Sequence, residues 1–194
     1  MGTIFVDNIK HESAQGSGTI TLGASGETIT TASGAKFSGI TGQNYPAFEA
    51  YLSADQSVSD AVLTKAEIDT KVFDTDNCFD TSTHRFTPTV AGRYFVYAKV
   101  CMSGSADASV RDIQTRIYKN GTSYANTDYR FDNNDIARGS PNTIAIVDMN
   151  GTTDYLEVFG YINTISGSPS FLSDVTGTVS EHKNTSFGAY RIGS

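Results

Sequence analysis

A chain of 194 residues has room for one substantial domain and an appendage, but not for two large hydrophobic cores. Its net charge of −7, with 14 basic residues scattered among 21 acidic ones, excludes a nucleic-acid partner, which would require clustered Lys and Arg. The low hydrophobic fraction of 38% and the 18 glycines favour short strands and tight turns over helices.

The sequence contains neither an apolar run long enough to cross a membrane nor the basic flank and apolar stretch of a signal peptide. We therefore expect no membrane insertion, and a protein that stays in a cytosol or leaves the cell without Sec-type secretion. Two cysteines, Cys78 and Cys101, are too few for a disulfide framework, and we interpret them as buried free thiols. A bridge would require that the strands carrying them lie side by side.

The first 43 residues have a composition of their own, dominated by Gly, Ser, Thr and Ala. A small unit at residues 19–26 (TITLGASG) recurs at residues 28–34 (TITTASG). Each unit predicts one short strand and a glycine turn, with too little apolar surface for a core. The segment is either a flexible linker or a stretch that orders by pairing with its own copies or a larger assembly. The regularly spaced isoleucines favour the second interpretation.

From residue 45 onward, β-branched and aromatic residues in alternation with polar ones predict a series of short strands. Asn-Gly pairs at Asn120 and Asn150 predict turns after two of them. Only residues 60–68 have a pattern that allows a helical turn or two. Eight to ten strands without a convincing helix predict a β-sandwich. The predicted strands cover residues 47–52, 71–73, 84–88, 92–100, 113–118, 144–147, 154–162 and 186–192.

Residues 45–192 resemble the globular head of complement component one, subcomponent q, within the tumour-necrosis-factor-like jelly-roll superfamily. Residues 79–96 (FDTSTHRFTPTVAGRYFV) resemble that family's signature, in which tyrosine-aspartate, threonine, phenylalanine-threonine and proline-glycine-tyrosine-phenylalanine follow one another. Three further stretches, residues 117–121, 155–158 and 186–190, match a hairpin, a late strand and the closing strand in the family's order. The resemblance implies an all-β jelly-roll head in residues 44–194.

The same resemblance implies a homotrimer in which three sandwiches pack around an axis through aromatic-rich strands. Some of the aromatic residues must serve each domain's own core instead. The candidates for the axis are Tyr94, Tyr97, Phe159, Tyr161 and Tyr190.

Residues 1–43 resemble the leaders of tailed-phage fibre and appendage proteins, particularly those of marine phages. Those leaders also open with a short strand, of the kind seen at residues 3–9, and continue into Gly/Ser/Thr repeats. The two resemblances together imply a virion protein, assembled in the host cytoplasm. Residues 1–43 would attach to other virion proteins, and the trimeric head would contact a host-surface glycan or protein. The alternative is a capsid or tail decoration (cement) protein.

We expect no enzyme, because no zinc-binding helix, nucleophile elbow, phosphate-binding glycine loop or Cys-x-x-Cys pair occurs in the sequence. His84 begins a predicted strand and is interpreted as structural. A virion polysaccharide depolymerase stays open as a third reading, since a β-fold can bring together distant carboxylates. The candidate recognition loops are long and polar and cover residues 103–109, 124–141 and 165–183.

The best metal candidate is an acidic loop in which Asp74, Asp76 and Asp80 present carboxylates at nearby positions. Hard oxygen ligands of this kind suit calcium. The glycine and the distal glutamate of the helix-loop-helix calcium motif are missing, and the alternative is a solvated acidic turn. We expect no cofactor other than this calcium.

Overall fold

The computed structural model describes residues 46–132, 135–173 and 183–193, and none of these residues is helical. Accordingly, the described part of the chain contains no helix that is long and apolar enough to span a membrane. The predicted attachment segment, residues 1–43, and its boundary with the head lie outside the described residues. Both stay predictions.

The described residues form fifteen strands, numbered here in chain order. They are β1 (Ala47–Tyr51), β2 (Gln56–Ser57), β3 (Thr64–Lys65), β4 (Thr70–Asp74), β5 (Phe79–Asp80), β6 (Arg85–Phe86), β7 (Gly92–Lys99), β8 (Met102–Ser103), β9 (Val110–Lys119), β10 (Thr122–Arg130), β11 (Arg138–Gly139), β12 (Asn142–Met149), β13 (Leu156–Thr164), β14 (Ser170–Phe171) and β15 (Ser186–Gly193).

The strands form two large antiparallel sheets and one small one. The first large sheet has five strands in the order β12-β7-β15-β1-β4. The second has the order β10-β9-β13-β6-β5, with β3 also paired to β13. A third sheet of short strands has the order β11-β8-β14-β2. In each large sheet, neighbouring strands often come from distant parts of the chain, as in a jelly roll.

Four phenylalanines join the two large sheets. Phe48 of β1 and Phe187 of β15 belong to the five-stranded sheet, whereas Phe79 of β5 and Phe86 of β6 belong to the second sheet. The Phe48 ring centroid lies 4.8 Å from that of Phe79, 4.4 Å from that of Phe86 and 4.9 Å from that of Phe187. All four side chains are buried in one hydrophobic core. The sheets therefore face each other across this core, which confirms the predicted jelly-roll sandwich.

The two Asn-Gly turns have different roles in the fold. Asn120 and Gly121 have φ values of 52° and 77°, the left-handed values that a tight hairpin turn between β9 and β10 requires. Asn150 also precedes a turn, in which its side-chain Oδ1 accepts backbone hydrogen bonds from Thr152 and Thr153. That turn joins β12 to β13, which lie in different sheets, so it is a crossover and not a hairpin.

Two predictions about secondary structure are wrong. Residues 60–68 were expected to allow a helical turn, but Thr64 and Lys65 form β3, which pairs with β13. The apolar residues Ala66 and Ile68 are buried two positions apart, which is the spacing of a strand. The predicted loop at residues 124–141 begins within β10, which continues to Arg130.

The interpretation of the cysteines is confirmed, because Cys78 and Cys101 are both buried and both free. Buried thiols of this kind behave as small apolar side chains. Burial raises the pKa of the Cys78 thiol, and the nearby carboxylate of Asp76 also contributes to this shift. Cys78 is therefore held in its neutral form at physiological pH.

Replacing Phe48 with alanine is expected to lower the free energy of unfolding by about 3–5 kcal/mol, because it removes the ring that contacts three others across the core. Urea denaturation measures the change. The matched control is Val62→Ala, at a side chain that is 49% exposed, which should change stability by no more than about 0.5 kcal/mol. Equal effects of the two substitutions would contradict the role assigned to Phe48.

Candidate functional site

The outer face of the five-stranded sheet carries an unusual number of exposed apolar side chains. β7 alternates between Tyr94, Val96 and Ala98, which are buried, and Phe95 and Tyr97, which are partly exposed on the other face. The strand register places Ile144 opposite Tyr97 and Ile146 opposite Phe95. We call this surface the apolar face; its members are Phe73, Phe95, Tyr97, Ile144, Ile146 and Tyr190.

The exposure of this face is large for apolar side chains. Ile144 is 60% exposed and Ile146 is 56% exposed, although both lie in the middle of a regular strand. Phe95 and Tyr190 are cross-strand partners, and their ring centroids lie 5.2 Å apart. Exposed apolar patches of this kind on soluble proteins mark interaction surfaces.

A polar group sits within the apolar face. The Tyr97 hydroxyl donates a hydrogen bond to Oε2 of Glu49 at 3.1 Å, and Nζ of Lys183 donates to Oε1 of the same carboxylate at 2.9 Å. We call these three residues the Glu49 cluster. Burial raises the pKa of Tyr97, and the neighbouring Glu49 carboxylate raises it further, so the hydroxyl keeps its proton. Opposite charges on Glu49 and Lys183 leave the cluster without net charge.

A glycine makes the Glu49 cluster geometrically feasible. Tyr97 on β7 and Glu49 on β1 are separated by the intervening strand β15, where Gly188 is the residue paired with both. A Cβ atom at Gly188 would lie 2.3 Å from the Tyr97 ring. The ring therefore crosses β15 directly above Gly188, and any larger residue at that position would displace it.

The structure separates the five aromatic residues predicted for the trimer axis. Tyr97 and Tyr190 lie on the apolar face, but Tyr94 is buried in the core, where its hydroxyl donates to the Val90 carbonyl at 2.7 Å. Phe159 and Tyr161 lie on β13, in the second sheet. Phe95, Ile144 and Ile146 also form the apolar face, although they are not among the residues predicted for the axis. The alternating pattern of β7 contained the signal for Phe95, because buried residues flank it on both sides.

The acidic loop folds around its own carboxylates. Oδ1 of Asp74 accepts the backbone N–H of Cys78 at 2.9 Å, and Oδ2 accepts that of Phe79 at 3.1 Å. Nζ of Lys71 also donates to Asp74 Oδ2, at 2.8 Å. Asp74 therefore stabilises the turn between β4 and β5.

The other two carboxylates of this loop also have protein donors. Asp76 accepts a hydrogen bond from the Thr89 hydroxyl, and Asp80 accepts from the hydroxyls of Ser82 and Thr83. Hydrogen bonds from Ser82 and Thr83 lower the pKa of Asp80. Across residues 46–132, 135–173 and 183–193, no three His, Cys, Asp or Glu side chains come together in a group that could hold a metal ion. Calcium at Asp74, Asp76 and Asp80 stays a prediction from the sequence.

His84 has a structural position. Its Nδ1 lies 2.8 Å from the Ile68 carbonyl oxygen, and its backbone has a φ of 55°. The ring thus connects the turn before β6 to the segment before β4. This agrees with the interpretation of His84 as a structural residue.

The outer face of the second sheet is more polar and contains a buried ion pair network. Oε1 of Glu157 accepts from Nζ of Lys65 at 2.6 Å and from Nε of Arg85 at 3.0 Å, while the Glu157 side chain is only 5% exposed. The Arg85 guanidinium also lies over the Tyr155 ring, 4.1 Å from its centroid. Burial alone raises the pKa of Glu157, but the hydrogen bonds and charges of Lys65 and Arg85 outweigh burial and lower it.

These observations define the class of the protein as an all-β jelly-roll domain with one apolar and one polar outer sheet face. No family model matches the sequence, and no curated protein matches it. Among solved structures, the chain is similar to the globular domain of zebrafish complement 1qA protein, at 14% sequence identity and a TM-score of 0.48. The match covers 76% of this chain and 96% of that chain. At this identity the similarity concerns the fold alone.

The Glu157 network predicts a defined pH dependence of stability. Because the folded-state pKa of Glu157 lies below its ordinary value of 4.5, the ionised carboxylate stabilises the fold at neutral pH, and this contribution is lost as pH falls through the folded pKa. Glu157→Gln is expected to be less stable than the parent protein by on the order of 2 kcal/mol at neutral pH. The difference should shrink on acidification below about pH 4.5. Urea denaturation at a series of pH values measures it; a difference that does not change with pH would contradict the assignment.

Proposed function

We propose that this chain is a non-enzymatic structural protein of a phage virion, a homotrimeric fibre or appendage whose head recognises a host surface or another virion protein. Residues 1–43 attach it to the particle in this proposal. The observation that carries the trimer is the apolar face, which a single chain leaves in water. Its burial against copies of the same chain would remove isoleucine, phenylalanine and tyrosine side chains from solvent, which is the main driving force for association.

The Glu49 cluster is compatible with a position at such an interface. A buried single charge would oppose association, but Glu49 is already paired with Lys183 and hydrogen-bonded to Tyr97. The three-fold arrangement itself follows from the resemblance of residues 45–192 to trimeric heads.

If the apolar face lies at the trimer axis, the outer face of the second sheet lies on the other side of the sandwich and is free for recognition. Two titratable groups of the described head have structural partners: His84 contacts the Ile68 carbonyl, and Glu157 pairs with Lys65 and Arg85. These contacts favour a binding role over catalysis. A decoration protein or a depolymerase would give a different result in an adsorption competition experiment.

The trimer is tested with a charge placed on the apolar face. The parent protein is expected to sediment with the mass of three chains at micromolar concentration, and Ile146→Glu is expected to sediment as a monomer with an unchanged circular dichroism spectrum. Val62→Glu is the matched control, because Val62 is a similarly exposed apolar residue outside the apolar face, and it should stay trimeric. A parent protein that is monomeric would contradict the proposal.

The virion role is tested by adsorption. Purified full-length protein is expected to compete with the phage that carries it for attachment to host cells, and to leave host polysaccharide intact. Binding to the particle shell with no effect on adsorption would instead identify a decoration protein. Release of reducing sugar ends from host polysaccharide would identify a depolymerase, and either result would overturn the proposal.

A further inference from the structure

A small polar cavity lies at one end of the second sheet. There the strand register places Arg130 of β10 opposite Asp112 of β9, and Asp112 opposite Asn163 of β13. These three side chains, together with Arg111 and Asp132, line a cavity of about 230 Å³. We call it the Asp112 cavity. It lies on the second sheet, whereas the apolar face lies on the five-stranded sheet.

Asp112 has unused hydrogen-bonding capacity. The residue is only 8% exposed, yet its Oδ1 has no hydrogen-bond partner among the described residues. Its Oδ2 lies 3.6 Å from Nη2 of Arg130, which is an ion-pair distance but too long for a hydrogen bond. Leaving a buried carboxylate oxygen without a donor costs free energy. Oδ1 is closed to solvent, so a bound molecule would reach this carboxylate at Oδ2, where the long contact with Arg130 leaves room for a donor.

The charges around the cavity indicate which kind of molecule it would bind. Two arginines and two aspartates line it, so their formal charges cancel. A phosphate would meet the aspartates, and a cation would meet the arginines. A neutral molecule with many hydroxyl groups suits both, because each hydroxyl donates one hydrogen bond and accepts others. The volume is below the 300–1,000 Å³ range of drug-sized ligand pockets, so it suits a single sugar ring.

An aromatic row continues from the cavity along the same sheet face. Tyr161 is two positions before Asn163 on β13, so both side chains point to the outer face. Phe159 is two positions further back, and its ring centroid lies 4.4 Å from that of Tyr118 on β9. Flat aromatic surfaces next to hydroxyl-binding groups provide apolar contact for the C–H face of a sugar ring. The row thus offers a path for further residues of a longer glycan.

We propose that the Asp112 cavity binds one residue of a neutral saccharide. A sugar hydroxyl donates to the Asp112 carboxylate at Oδ2, the Arg130 guanidinium and the Asn163 amide donate to sugar oxygens, and Tyr161 contacts the apolar face of the ring. This inference rests on the proposed recognition function and specifies the chemical class of its ligand. It does not depend on where the chain attaches to a particle.

The test uses the full-length protein with defined probes. Isothermal titration with purified host polysaccharide, and ligand-observed magnetic resonance with the methyl glycosides of glucose, galactose, mannose and N-acetylglucosamine, measure binding. At least one of these probes is expected to bind. Asp112→Asn keeps the size of the side chain but loses its charge and one acceptor, and it is expected to weaken binding by about tenfold or more.

Two further variants make the result decisive. Tyr161→Ala changes a partly exposed side chain and is expected to weaken saccharide binding. This variant keeps the test valid if Asp112→Asn fails to fold. Circular dichroism would detect such a folding failure. Glu67→Gln is the matched control, because Glu67 is an exposed carboxylate that lines a different polar cavity, and its binding should equal that of the parent.

Failure to bind any of these probes, or unchanged binding in both the Asp112 and Tyr161 variants, would overturn the inference and leave the cavity as a site for ordered water only. The proposed function would be judged separately. Adsorption competition and a trimeric mass without saccharide binding would point to a protein receptor. Loss of adsorption competition together with intact saccharide binding would point instead to a failure of the proposed virion role.

Discussion

The contact on which the rest of the structure depends is the stack of aromatic rings around Phe48. Phe48 meets Phe79, Phe86 and Phe187, and these four residues come from four strands in two sheets. Phe79 and Phe86 are paired locally by β5 and β6, whereas the contacts of Phe48 with the other three rings join strands that are distant in the chain. The rings therefore fix the distance and the orientation of the sheets, and the outer faces follow from that arrangement.

Each large sheet has an inner and an outer face, and the same alternation determines both. In β7, burial of Tyr94 and Val96 in the core turns Phe95 and Tyr97 outward. Strand pairing then adds the outward residues of β12 and β15 to the same surface. The apolar face is thus a consequence of strand register as much as of composition, since a shift by one residue would bury these side chains instead.

The two outer faces use polar residues in opposite ways. On the five-stranded sheet, Glu49 has donors on both carboxylate oxygens, from Tyr97 and Lys183, which suits a surface that another chain covers. On the second sheet, Asp112 keeps one oxygen without a donor within the described structure, beside a cavity open to small molecules. A satisfied group tolerates permanent burial, whereas an unsatisfied one gains from a ligand. This difference supports assembly on one face and recognition on the other.

The sequence by itself determined the all-β class, most of the strands and the Asn120–Gly121 hairpin turn, because each depends on local alternation or turn chemistry. Free thiols were predicted from the number of cysteines, but only the structure excluded a bridge between Cys78 and Cys101. The sequence did not determine that Thr64 and Lys65 form the short strand β3, since this strand exists only by pairing with β13. Nor did it group Phe95 with Ile146, or Asp112 with Arg130 and Asn163. Asp112 and Arg130 are paired by the β9–β10 hairpin, whereas Phe95 with Ile146 and Asp112 with Asn163 join strands that are far apart in the chain, where only the tertiary pairing of the strands sets which side chains become neighbours.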